Sequence, residues 1–354
     1  MKKSICMYQP CASHQVATGD LSAFMDNSLK KYIDQFGSAP EAIYITSSIE
    51  LSIFAFEQLN KALLPFLLSL PGAEMKVVSQ GCLGLYASVL DFNENYSINS
   101  VLLFTVEAPK EFVQEGLNAI GIGDMEGQDG LVISPSIGCV SLVKKHKHNL
   151  LDTDYVIDSC DIISIPTSLS QQAFAILKMT KMIISMLGGI NTKLVSFEVS
   201  APWSESMSHV IKSMIRKKSD TEWLDSVEKD HQHYMTSKQI LELVEYKNEL
   251  ESGPLVMTGL GVGGRFGVLR VSAAKYAYEN SIPCPTINKF DFNDYVDFTR
   301  DIITNPVDDY ANVIRNNVLS FNKKYRGLDN QFFSWNIDLD YCQSFVNDLA
   351  LGDA

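Results

Sequence analysis

Short runs of β-branched and aliphatic residues alternate along the chain with longer stretches of helical period. Near the start, Ser4–Tyr8 reads as a strand, Leu21–Phe36 as a helix and Ala42–Thr46 as a strand after the turn at Gly37–Pro40. Ile49–Leu70 reads as a helix, Met75–Ser79 as a buried strand, and Leu83–Phe92 as the helix that follows it. Ser100–Val106 and Gly130–Lys144 are two further strands, with a helix over Lys110–Ala119 between them. From about Leu150 the alternation starts again. Helix Ser168–Leu187, strand Lys193–Val199, helices Ser204–Lys217 and Ser237–Leu250, and strands Pro254–Gly259 and Phe266–Val271 follow in turn. Such alternation favours a mixed α/β sheet with helices on both faces. The common order of the two stretches predicts duplicated α/β halves at 1–149 and 150–271, although no sequence repeat is visible.

Beyond Val271 the pattern changes. Residues 272–354 hold 7 basic against 12 acidic side chains, and Asp291–Thr304 and Val307–Asn322 read as amphipathic helices separated by Asn305–Pro306. An acidic, mainly helical extension is expected there, packed through aromatics such as Phe332 and Trp335. The whole chain of 354 residues carries a formal charge of −13 and is 46% hydrophobic, enough for a large core. That charge argues against a nucleic acid or an anionic membrane as partner. The seven cysteines are scattered and form no CxxC pair, and no carboxylate–histidine spacing resembles a metal site. MKKSICMYQP is followed by no apolar segment, and the most apolar stretch, Ala62–Ala73, is shorter than the ~20 residues of a membrane helix. A cytoplasmic protein is the expectation.

Two local patterns bear on chemistry. Gly259-Leu-Gly261-Val-Gly263-Gly264 satisfies a dinucleotide-binding GxGxxG, but it runs into the strand-like Arg265–Val271 and not into a helix. It reads instead as a tight strand–loop–strand connection needing close backbone approach. The second pattern surrounds Cys82. Met75–Ser79 ends as a strand, the chain turns at Gly81, and a helix begins near Leu83. A thiol at that junction meets the positive end of the helix dipole, which favours thiolate, and the flanking glycines Gly81 and Gly84 allow close approach by an acyl group. The alternative is a small buried hydrophobe, as most free cysteines are.

Gln80-Gly81-Cys82-Leu83-Gly84 resembles the nucleophile elbow of β-ketoacyl-ACP synthase III and related thiolase-fold condensing enzymes. Gly130–Leu142 is similar to that family's glycine-rich strand pair, and Leu260–Gly267 to its closing glycine segment. The resemblance implies a thiolase-like fold, duplicated α/β halves in five α-β-α-β-α layers, assembled as a dimer. It implies further that Cys82 takes an acyl group from a thioester of CoA or of phosphopantetheine on a carrier protein, with no bound cofactor. The amides of Cys82, Gly261, Gly263 and Gly264 would serve as oxyanion donors.

The family's histidine and asparagine are not matched. Pro202–Ser206 places Trp203 at the histidine position, and His233–Ser237 places Met235 at the asparagine position. His209 should lie more than a turn into its helix. His233, on the family motif, is a candidate acid/base, while His231 and the Lys144–His148 tract read as solvated. Three functions remain open. The first is acyl transfer through Cys82 to an acceptor in fatty-acid, polyketide or secondary-metabolite biosynthesis. The second is a β-ketoacyl synthase with replaced acid/base groups. The third is a non-catalytic subunit of a heterodimer with an active paralogue. Lys212, Arg216, Lys217 and Lys218 would dock an acidic acyl carrier protein, or simply complement their helix dipole.

Overall fold

In a computed structural model the described residues are 3–14, 18–47, 74–79, 81–107, 132–133, 136–146, 154–165, 172–188, 191–195, 202–219, 221–228, 232–261, 265–279 and 297–299. The expected helices Ile49–Leu70, Lys110–Ala119 and Val307–Asn322 lie outside them. In chain order the first half contains β1 (Ser4–His14), α1 (Thr18–Phe36), β2 (Ala42–Ser47), β3 (Glu74–Ser79), α2 (Gly84–Glu94), β4 (Ser100–Glu107), β5 (Val132–Ile133) and β6 (Ser136–Lys145). The second contains β7 (Tyr155–Ser164), α3 (Gln172–Met186), β8 (Lys193–Val195), α4 (Pro202–Arg216), β9 (Glu222–Leu224) and β10 (Gln232–His233). It continues through α5 (Lys238–Glu245), α6 (Lys247–Leu250), β11 (Leu255–Gly261), β12 (Arg265–Ala273) and α7 (Ala274–Glu279). β13 (Asp297–Thr299) comes last.

The duplication is visible in the sheet. One half orders its strands β3-β2-β4-β6-β1 and the other β9-β8-β11-β12-β7. Taken in chain order within each half, both read third, second, fourth, fifth, first. Both also pair parallel, parallel, antiparallel, antiparallel. Antiparallel pairing of β1 with β7, Ile5 opposite Ile157, joins the halves into one sheet. α2 touches β2, β3 and β4 of its own half and β7 and β12 of the other, while α5 touches β1, β6 and β11. These two helices therefore form a central layer. α1 covers β4 and β6 outside, and α3 covers β12 with α4 packed on it. The result is the five-layered thiolase-like arrangement.

Burial accounts for the central layer. Every residue from Gly84 to Phe92 in α2 is buried, as is every residue from Lys238 to Leu243 in α5. A helix covered on all sides needs no polar face. α2 meets the β11–β12 hairpin where Gly259 pairs with Gly267. A Cβ on either would lie 2.9 Å from Leu83 Cδ2, and on Gly259 also 2.9 Å from Tyr86 Cε2. The glycines thus serve close packing of a hairpin against the central helix, in agreement with the strand–loop–strand reading and against a dinucleotide site.

Several expectations need correction. β7, the strand that joins the halves, was not anticipated, because Asp158 and Asp161 interrupt its apolar run. Asp158 is nonetheless buried: Arg270 Nε lies 3.3 Å from its carboxylate and the Ser272 hydroxyl donates to it. Arg270 also donates to the carbonyls of Met186, at 2.8 Å, and Gly188, so one guanidinium ties β7, β12 and the end of α3 together. Burial raises the Asp158 pKa, opposed by Ser272 and Arg270, and burial lowers that of Arg270. The Lys144–His148 tract is not simply solvated: Lys144 and Lys145 are half-buried in β6, where Lys144 Nζ lies 4.5 Å from the Phe92 ring centroid and donates to Asn95 O. The expected helix Ser237–Leu250 breaks at Tyr246. Within the expected helix Asp291–Thr304, β13 instead pairs antiparallel with β3 at the sheet edge.

Candidate active site

β3 delivers the chain to a 3-10 turn at Gly81–Leu83, and α2 begins at Gly84. Cys82 lies in that turn, 6% exposed. No side chain caps α2 at Leu83, and the 3-10 turn runs directly into the helix. Gly84 fits between Thr46 of β2 and Thr236, whose hydroxyl oxygens are 3.2 Å apart; a Cβ there would overlap both and come 2.9 Å from Thr46 Cβ.

Thr236 belongs to a second 3-10 turn, Met235–Ser237, which leads into α5. The first half clamps this turn. Thr236 N donates to Glu107 Oε1 at 2.9 Å and the Ser237 hydroxyl donates to Thr105 O at 3.2 Å. Tyr234 N, just before it, donates to Glu228 Oε1 at 3.1 Å. The turn carrying Cys82 therefore touches both the turn carrying Met235 and strand β11.

The other anticipated residues fall as follows. Trp203 is in the first turn of α4, and His209 is further along that helix and exposed. His233 is in β10, paired parallel with Ile133 of β5. Gly261 closes β11, while Gly263, Gly264 and His231 lie outside the described residues. Lys212 Nζ sits 5.6 Å from the Trp223 ring centroid, whereas Arg216, Lys217 and Lys218 are exposed at and just beyond the end of α4. Among the described residues no group of histidine, cysteine or carboxylate side chains could hold a metal ion, and no helix is long and apolar enough to cross a membrane.

The sequence reading missed the most unusual charges of this corner. Lys238 and Glu242, one turn apart on α5, form an ion pair at 2.5 Å with both side chains buried. Lys238 Nζ also lies 3.5 Å from Thr258 O of β11. Burial would lower the Lys238 pKa, but Glu242, Glu228 and the Cys82 sulfur, which attracts its charge, raise it overall. Burial pushes Glu242 up to about 7 despite the ammonium beside it. In sequence this is an ordinary Lys–x–x–x–Glu helix pair, which usually faces water. The available signal was its place directly after the Met235–Ser237 turn, the stretch that the sequence reading set against the family's asparagine motif. His14, at the end of β1, was also overlooked; its ring centroid is 4.8 Å from that of Tyr234.

No family model matches the chain, and no curated protein matches it in sequence. Solved structures do. An acyltransferase, ChlB3, shares 12% identity at a TM-score of 0.51, over 76% of this chain and 98% of its own. The 3-oxoacyl-(acyl carrier protein) synthase III FabH from Pseudomonas aeruginosa PAO1 aligns over the same shares at 12% identity and a TM-score of 0.48. A Xanthomonas campestris OleA variant aligns over 77% of this chain and 98% of its own at 9% identity and a TM-score of 0.46. At such identities the likeness is one of fold.

Proposed function

We propose that the chain is a ketosynthase III-like acyltransferase that loads an acyl group onto Cys82 and passes it to an acceptor. The observation that carries this reading is a buried cysteine in the turn between a strand and a central helix, a turn that touches both the turn leading into α5 and strand β11. In the first step the Cys82 thiolate attacks the carbonyl of an acyl-CoA or acyl-carrier thioester, and the C–S bond of the donor breaks. The departing thiolate takes up a proton, leaving a Cys82 thioester. In the second step the acceptor attacks that thioester, loses a proton, and restores Cys82. Amides aimed at the carbonyl oxygen are worth roughly 10²–10³ in rate each. The Cys82 amide and the Gly261–Gly264 loop fill this role in the proposal. Trp203 and Met235 in place of an imidazole and a carboxamide weaken the case for malonyl decarboxylation, which needs an enolate stabilised, more than the case for acyl loading. Exposed Arg216, Lys217 and Lys218 would receive an acidic carrier protein, with Lys212 behind them on Trp223.

The test is intact mass measurement after incubation with a panel of acyl-CoA and acyl-carrier thioesters. The expected result is a single acyl adduct in the wild type that is absent from Cys82→Ala. No adduct with any donor would overturn catalysis and favour the partner-subunit reading. Decarboxylation of a malonyl thioester by the isolated protein would overturn simple transfer in favour of condensation.

A further inference from the structure

A pair of thiols stands apart from Cys82, on the α1 side of the sheet. In the antiparallel pairing of β1 with β6, Cys11 lies directly opposite Cys139. Residues opposite one another in such a pair have Cα atoms ~4.5–5.5 Å apart, within the ~4.4–6.8 Å span of a disulfide. That register places the two residues within the Cα reach of a disulfide. The register slips between Tyr8 and Cys11, and Gln9, in that bulge, has a φ of +46°. The bulge opens a cavity of about 590 Å³ whose lining includes Cys11, Cys139, Ser28, Lys31 and Asp34. Cys11 is half-buried and Cys139 is 3% exposed, so a reagent entering the cavity reaches Cys11 first.

The surroundings distinguish Cys11 from the described thiols Cys6, Cys139 and Cys160. Cys11 Sγ lies 3.9 Å from Ser28 Oγ, and the Cys139 thiol is within hydrogen-bonding reach of it. Cys139 and Ser28, helped by the charge of Lys31 and opposed by burial, hold the Cys11 pKa down at about 7. Burial pushes Cys139 well up, pushes Cys6 up to about 12, and raises Cys160 well above the usual thiol range. Of the two opposed thiols, Cys11 is the accessible one and Cys139 the enclosed one. That is the division of labour between an attacking and a resolving cysteine.

We propose that Cys11 and Cys139 form a reactive dithiol that is modified by hydroperoxides to a cross-strand disulfide. The Cys11 thiolate attacks one oxygen of ROOH, the O–O bond breaks, and the alkoxide leaves as ROH after taking a proton. Cys11 is then a sulfenic acid. The Cys139 sulfur attacks the Cys11 sulfur, the S–O bond breaks, and hydroxide leaves as water with the Cys139 proton. In total two thiols and ROOH give one disulfide, ROH and water. The disulfide ties β1 to β6 across the bulge. This modification is independent of acyl transfer at Cys82.

The test treats the full chain with hydrogen peroxide and maps peptides without reduction. The expected product is a Cys11–Cys139 linked peptide in folded protein, with a loss of two hydrogens from the intact mass. In Cys139→Ser the sulfenic acid persists, and dimedone adds to Cys11. In Lys31→Met the linkage forms several-fold more slowly. The proposal is overturned if peroxide oxidises the other cysteines while Cys11 and Cys139 remain thiols, or if the linkage forms only after denaturation. The wild-type map decides this even if a variant fails to fold.

Discussion

Replacing Gly259 with alanine probes the contact that seats the Cys82 turn against the second half. The added Cβ would lie 2.9 Å from Leu83 Cδ2, 2.9 Å from Tyr86 Cε2 and 3.3 Å from Gln239 Nε2. Carbon atoms in good contact are ~3.5–4.0 Å apart. Leu83, Tyr86 and Gln239 are completely buried, so none has solvent into which to retreat. Overpacking of this kind costs ~1–3 kcal/mol. The lower entropy of an unfolded alanine returns ~0.4–1 kcal/mol. A net loss of about 1–2 kcal/mol is expected, seen in urea unfolding as a lower midpoint with an unchanged slope. The structure also names the partner. In a Leu83→Ala background one of the two 2.9 Å contacts disappears, so Gly259→Ala should cost roughly 1 kcal/mol less there. A double-mutant cycle measures this coupling. If the two substitutions add with no coupling, or if Gly259→Ala stabilises the protein, the packing role assigned to the glycine is wrong.

Other consequences follow from the buried charges. Asp158→Ala strands the Arg270 guanidinium and should cost about 3–5 kcal/mol in denaturant unfolding, whereas Asp158→Leu with Arg270→Met should recover most of that loss. Glu242 has its pKa raised by folding from an ordinary 4.5 to about 7, so its protonated form favours the fold and stability falls as pH rises across that window. In Glu242→Gln this part of the slope of unfolding free energy against pH should vanish. Lys238, also raised, keeps its contribution below pH 10.5 and leaves that window unchanged. Lys238→Met should slow Cys82 alkylation by iodoacetamide; an unaltered rate would remove Lys238 from the chemistry.

The local order of the chain was legible because strands and helices announce themselves by period. The strand–turn–helix around Cys82 and the hairpin of Gly259 and Gly267 both lie within a few residues of where their patterns put them. Short-range sterics and the alternation of apolar side chains decide such features, and both are written in consecutive residues. The duplication was readable for the same reason, from element order alone.

What joins these pieces was not legible. β7 carries Asp158, which looks like a surface residue until Arg270, 112 positions later, is placed beside it by strand pairing. Lys238 and Glu242 look solvated until α5 is enclosed by both halves, and Thr236 meets Glu107 only across the central layer. Cys11 and Cys139 become a pair through register, not through spacing. The sequence by itself determined where the chain turns, where the thiol of Cys82 stands and that its architecture is doubled. Only the tertiary structure decided which charges are buried together, because desolvation and pairing depend on neighbours that long-range sheet order brings into contact.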